Sequence, residues 1–201
     1  MTKRTVKAAT TPPMDVVVDE QSPEVIIEDK YMHFDKQPLK LDLGCSGPEW
    51  QQKPLDEWIR LDIQPADGID IVADFGAIPL EDRSVDEIFL GDVIEHVPVW
   101  RYDEVLTEWN RILKPGGRIA GRCPNLDRAM RDYAAGKLSL NDAYGSIYGD
   151  PRNRYLQHYS GFTMETLTAL FAKYGFDVTD YSGSPGPEKT PWWLVFEGAK
   201  Q

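Results

Sequence analysis

Apolar and polar residues alternate through Leu39-Lys40-Leu41-Asp42-Leu43 and break at Gly44. Period-two alternation bounded by glycine predicts a strand that ends in a tight turn. Trp58-Ile59-Arg60-Leu61 reads as a second strand ending at Asp62, and residues 69–73 as a third ending at Asp74-Phe75. Residues 84–90 read as a fourth, running into Gly91-Asp92. The period then changes. Val105, Leu106, Trp109, Ile112 and Leu113 form one stripe at helical spacing, and Lys114-Pro115-Gly116-Gly117 stops it. Residues 118–123 give a fifth strand. Asn125 caps a helix with Leu126, Ala129, Met130 and Tyr133 inward, closed by Gly136. A further helix starts at Thr163 with Leu167, Leu170, Phe171 and Tyr174 inward, and Gly175 stops it. Two last strands, 176–181 and 192–197, flank a Ser-Gly-Pro loop.

Strands alternating with helices imply an α/β fold: a mostly parallel, doubly wound sheet of about seven strands with helices on both faces. In such a sheet ligands sit just beyond the carboxyl ends of the strands. The loop between the last two strands is too short for a crossover helix, so they run antiparallel to each other. Residues 1–36 lack an apolar face long enough to build a core and read as a disordered or extended tail, available to a protein partner. Within it, Val16–Val18 and Val25–Ile27 are short apolar clusters that could dock as a strand, and Tyr31-Met32-His33-Phe34 abuts the first strand. The folded domain is then 37–201.

Charge narrows the partners. The 201 residues carry a net charge of −11, which disfavours nucleic acid and anionic membranes, since both need a basic face. The sequence shows no apolar run long enough to span a membrane and no apolar signal core. Its two cysteines, Cys45 and Cys123, have no paired spacing. Free thiols in a reducing cytoplasm are the expectation.

Several residues could carry chemistry. Asp42 precedes a turn whose glycines, Gly44 and Gly47, let a ligand approach the backbone; its companions favour a ligand-binding role over bonding to its own turn. Asp62 closes the second strand about twenty residues later, where nucleoside-binding folds hold a ribose. Asp74 closes the third. His96 is a candidate base or a histidine bonded to a nearby carbonyl. His158 lies in a segment rich in Arg152, Arg154, Tyr155 and Tyr159, together with Tyr144 and Tyr148, which suits an acceptor with a ring or an anionic group. Three histidines and two cysteines without ligand spacing give no metal site. A pyrophosphate cofactor fits poorly, because the glycine turn is incomplete and Asp42 would face the phosphate.

Taken together, Leu41 to Cys45, Glu95 to Val97 and Leu113 to Gly117 resemble the class I S-adenosylmethionine-dependent methyltransferases, over about residues 39–197. The turn departs from that family where Ser46 and Pro48 stand in place of further glycines. The resemblance implies the strand order 3-2-1-4-5-7-6 with the seventh antiparallel, and S-adenosyl-L-methionine as cofactor. It implies a donor site made of Asp42, Gly44, Cys45 and Gly47 at the methionine end. Asp62 with Ile63 would hold the ribose, Asp74 with Phe75 the adenine, and Gly91-Asp92 the amino group. Methyl transfer to a small-molecule acceptor follows, a sugar or other hydroxyl-bearing molecule being the candidate, with His158 and then His96 as candidates to take its proton. The alternative is a donor-binding or scaffold subunit without catalysis.

Overall fold

Leu41 and Leu43 are fully buried on β2 (Lys40–Leu43), the strand at the centre of this computed structural model, which describes residues 26–27, 38–45, 57–182 and 192–201. On one side β2 pairs in parallel with β3 (Ile59–Asp62), which pairs in parallel with β4 (Ile71–Val72). On the other it pairs in parallel with β5 (Val85–Gly91), followed by β6 (Leu113–Pro124). β8 (Trp193–Lys200) is inserted antiparallel between β6 and β7 (Phe176–Asp180). The expected order 3-2-1-4-5-7-6 is therefore present, with β8 in the antiparallel role.

One strand is added. β1 (Ile26–Ile27) pairs antiparallel with β4 and gives the sheet the order β1-β4-β3-β2-β5-β6-β8-β7. Within the stretch 1–36, read as a tail whose Val25–Ile27 cluster could dock as a strand, these two residues cover the hydrogen-bonding edge of β4, which a short parallel strand otherwise leaves unpaired. Val16–Val18 and Tyr31-Met32-His33-Phe34 lie outside the described residues, as do the first crossover and most of the loop after Ser182.

The helices follow their stripes with two exceptions. α1 (Tyr102–Ile112) buries Val105, Leu106, Trp109 and Ile112 against the sheet. The chain then enters β6 directly at Leu113, which pairs with Val85 before a register shift absorbs the Pro-Gly-Gly turn. α2 (Leu126–Ala134) starts where Asn125 Oδ1 accepts from the Arg128 amide at 3.1 Å. Its predicted stripe is corrected: Met130 and Tyr133 are exposed, and Ala129 and Asp132 are the buried positions. Arg128 pairs with Asp132, so the carboxylate that this helix buries is satisfied by an ion pair.

α3 (Leu140–Tyr148) is the second exception, a helix inside the stretch that reads as a connection in sequence. Ser139 caps it, accepting from the Asp142 amide at 3.1 Å, and the helix packs on α2. It buries only Ala143, so its sequence carries almost no apolar period. α4 (Met164–Lys173) opens on a reciprocal Thr163–Thr166 cap and buries Leu167 and Phe171. The Phe171 ring meets Phe176 of β7 and Phe196 of β8 at 5.8 and 5.3 Å between centroids.

Candidate active site

The carboxyl ends of β2, β3 and β5 open into a cavity of about 1440 Å³. β2 delivers Gly44 to its wall with φ +70°, a conformation that costs an L side chain about 1–2 kcal/mol. A Cβ there would also come within 2.7 Å of Val93 Cγ2, so glycine is required for space as well as for dihedral angle. The Gly44 amide donates to Leu61 O at 2.8 Å, which fixes the turn to β3. Asp62 closes β3, is 5% exposed and lines the cavity with Ile63; its Oδ1 accepts from the Gln64 amide at 2.9 Å.

Asp74 and Phe75 also line the wall, but the Asp74 carboxylate is already engaged. It accepts from the Gly76 amide at 2.8 Å and from both terminal nitrogens of Arg101 at 3.0 and 2.5 Å. Burial opposes ionisation there, and the Arg101 guanidinium with the Gly76 amide more than offsets it, so the carboxyl stays below its ordinary range. Gly91 and Asp92 line the wall beyond β5. Asp92 takes φ +58° and is held by Trp193 Nε1 at 2.6 Å and Arg122 Nε at 2.8 Å.

Two expected donor-site residues are not on the wall. Asp42 is buried within the sheet, registered between Arg60 of β3 and Phe89 of β5, short of the open strand ends. Cys45 is buried with Ile69 and Val72, and burial, followed by the charges of Asp42 and Asp62, pushes its thiol far up. Gly47 lies outside the described residues.

The far wall is built from the turn Ile94–His96 that follows β5, and from residues 154–159. The Glu95 carbonyl accepts the Tyr159 amide at 2.8 Å, which brings the second segment against the first. His96 and His158, distant in sequence, meet edge to face with ring centroids 4.9 Å apart. His96 Nδ1 lies 3.0 Å from Gln157 O, and His158 Nδ1 3.2 Å from Ser146 O. A carbonyl can only accept, so each Nδ1 carries the proton and each neutral ring keeps its lone pair on Nε2. Burial lowers the pKa of both rings, and for His158 the neighbouring His96 adds to it.

Glu95 is the residue that sequence reasoning missed. It is 1% exposed, and neither carboxylate oxygen has a hydrogen-bond partner among the described residues. Burial and then the charge of Asp92 push its pKa well up. Its one sequence signal is an acid beside His96 in the otherwise apolar run Val93-Ile94-Glu95-His96-Val97.

The aromatic and cationic cluster divides. Arg154, Tyr155 and Tyr159 line the cavity, with the Arg154 guanidinium 4.8 Å from the Tyr155 ring centre. Arg152 instead pairs with Asp150 at 2.8 Å in an exposed position away from the wall, and the Tyr144 and Tyr148 rings meet at a tilt outside it. Paired arginines for an anionic acceptor are therefore not assembled. No helix among the described residues is long and apolar enough to cross a membrane.

Residues 50–121 match the model of a family described as a methyltransferase domain. An uncharacterized methyltransferase of Geobacillus kaustophilus is 27% identical over 106 residues, 53% of this chain and 47% of the relative. The chain thus spans about half the length of the curated relative it matches. Among solved structures, the 1,6-didemethyltoxoflavin-N1-methyltransferase of Burkholderia thailandensis, with 1,6-didemethyltoxoflavin and S-adenosylhomocysteine bound, aligns with a TM-score of 0.58. It is 16% identical, covering 81% of this chain and 71% of its own. An S-adenosylmethionine-dependent methyltransferase of Thermotoga maritima, described as a possible histamine N-methyltransferase, aligns at 0.55 with 19% identity over 84% of each chain. At these identities the solved structures share the fold.

Proposed function

We propose that this chain, a member of the class I S-adenosylmethionine-dependent methyltransferases, transfers a methyl group from S-adenosyl-L-methionine to a small-molecule acceptor bearing a hydroxyl. The observation that carries the reading is Asp62, a buried acid closing β3 on the same cavity wall as the Gly44 turn. The residues fit the donor. Asp62 can accept from two vicinal ribose hydroxyls, and Gly44 admits a ligand to the backbone. Asp74 is committed to Arg101, so the adenine edge is left to Phe75 and the neighbouring backbone.

A single-ligand pocket occupies about 300–1,000 Å³. A cavity of about 1440 Å³ therefore has room for the donor and a small acceptor together. When bound, the donor supplies a methyl carbon already activated by a sulfonium. The chain's own work is to align the acceptor, which supplies a large share of the rate in displacement reactions. A hydroxyl acceptor must also lose its proton. The Nε2 lone pairs of His158 and His96 supply that function in this reading, with Arg154, Tyr155 and Tyr159 shaping the acceptor side. The catalytic unit is residues 37–201, with β1 completing the sheet edge.

Calorimetry with S-adenosylhomocysteine tests the donor site. Asp62→Ala, checked for folding, is expected to weaken binding by about 1–3 kcal/mol, because the ribose hydroxyls lose their acceptor. Unchanged affinity in the folded variant would remove Asp62 from the site. Turnover follows from an acceptor screen that monitors S-adenosylhomocysteine production; donor binding with no turnover on any hydroxyl acceptor would favour a donor-binding subunit.

A further inference from the structure

We propose that Glu95, His96 and His158 together hold a divalent first-row transition-metal ion at the acceptor end of the cavity. The three residues each offer a ligand atom, and these atoms all lie within 4.8 Å of one another. All three residues line the cavity.

The donor set is prepared as a ligand set should be. Both imidazoles spend Nδ1 on a backbone carbonyl, Gln157 O for His96 and Ser146 O for His158. That outer bond fixes the ring orientation and leaves Nε2 as the coordinating nitrogen, which is the arrangement metal-binding histidines adopt. The rings are held independently of each other, since His96 sits on the turn after β5 and His158 beyond α3, and the Glu95 carbonyl to Tyr159 amide bond clamps the two segments.

Glu95 supplies the second, independent observation. A carboxyl group buried without a hydrogen-bond partner costs several kcal/mol of lost solvation when charged. Here both oxygens are buried without a hydrogen-bond partner among the described residues, and His96 and His158 each offer a ligand atom close by. A buried carboxyl without a hydrogen-bond partner among the described residues and two imidazoles thus offer ligand atoms within 4.8 Å of one another. A cation among them would be a partner for all three at once.

Two imidazoles and one carboxylate suit zinc, manganese, iron or cobalt over magnesium or calcium, which prefer all-oxygen sets. Three protein ligands leave at least one coordination position open. The three residues line the cavity, so a ligand held there can reach that position. In the methyl-transfer reading an acceptor hydroxyl fills it: the ion acidifies the hydroxyl, its proton passes to solvent, and the oxygen forms the new C–O bond as the S–C bond breaks. The histidines then act through the ion and not as free bases. This catalytic consequence rests on the proposed function; the ion site itself does not.

The test uses the full chain without an affinity tag, stripped with a chelator and titrated with Zn²⁺ by calorimetry and with Co²⁺ by visible absorption. Saturation at one ion per chain is expected, with affinity at least about tenfold weaker in Glu95→Gln and in His158→Gln. Absence of saturable binding, or equal affinity in both folded variants, overturns the proposal. Should either variant fail to fold, the wild-type protein decides alone: Zn²⁺ must shift the Nε2 resonances of His96 and His158 in nitrogen NMR, and binding that leaves them unmoved overturns it. S-adenosylhomocysteine binding is measured on the same samples. Intact donor binding without metal binding defeats this inference only, and metal binding without donor binding defeats the methyl-transfer reading only.

Discussion

Arg101 faces Asp74 across the cavity rim with a two-point ion pair, Nη1 to Oδ2 at 3.0 Å and Nη2 to Oδ1 at 2.5 Å. The same guanidinium reaches Glu104 at 2.6 Å, so one arginine ties the turn after β4 to the first turn of α1. The pair is partly exposed, which limits its worth, although two-point geometry is the favourable case for such pairs.

A double-mutant cycle of Asp74→Asn with Arg101→Met isolates that pair from the Glu104 contact. A coupling of about 1 kcal/mol in urea unfolding at pH 6 is expected. Its pH dependence follows from the sign of the shift. The folded Asp74 carboxyl lies below its unfolded value, so the stabilisation is complete above the unfolded pKa, near 4, and is lost as pH falls through the folded value. Coupling that persists undiminished at pH 2 would mean that the contribution is not ionic.

Gly44 and Gly116 form a matched pair of positive-φ glycines, at +70° and +74°. A Cβ at Gly44 meets Val93 at 2.7 Å, whereas a Cβ at Gly116 has nothing within 4 Å. Gly116→Ala should therefore lose only the backbone term, about 1 kcal/mol. Gly44→Ala should lose more and weaken S-adenosylhomocysteine binding as well, because Val93 shares the cavity wall. Equal loss of melting temperature in the two variants, with donor binding intact in both, would show that the turn has room to spare.

Removing residues 1–30 takes β1 from the sheet and leaves the outer edge of Ile71–Val72 unpaired. A loss of about 1 kcal/mol, or about 2–4 °C in melting temperature for a chain of this size, is expected, together with a greater tendency to associate through that edge. A truncated protein with the same melting temperature would reduce β1 to a surface contact.

The strands of the central sheet were legible because each buried strand writes its own period into the sequence. Leu41 and Leu43, or Ile88 and Leu90, can be read without knowing what they touch. The capped helices were legible for the same reason: Asn125 and Thr163 act within a turn of themselves. α3 was not, since a helix that buries only Ala143 leaves no stripe. Met130 and Tyr133 misled in the opposite sense, as apolar residues at helical spacing that the fold leaves exposed.

By itself the sequence determined the α/β class, the strand order through its resemblance, and the acids and glycine that close β2 and β3, all of them matters of local period and local turn chemistry. Only the tertiary structure decided which of those residues reach the cavity: Asp62 and Gly44 do, Asp42 and Cys45 do not. It alone joined His158 to Glu95 and His96, 62 positions apart for the two histidines by their numbering. The physical reason is that periodicity records what a residue's own segment must bury, whereas a site is a convergence of segments. The Glu95 carbonyl to Tyr159 amide bond that closes this one is a backbone contact, and backbone contacts leave no mark on side-chain identity.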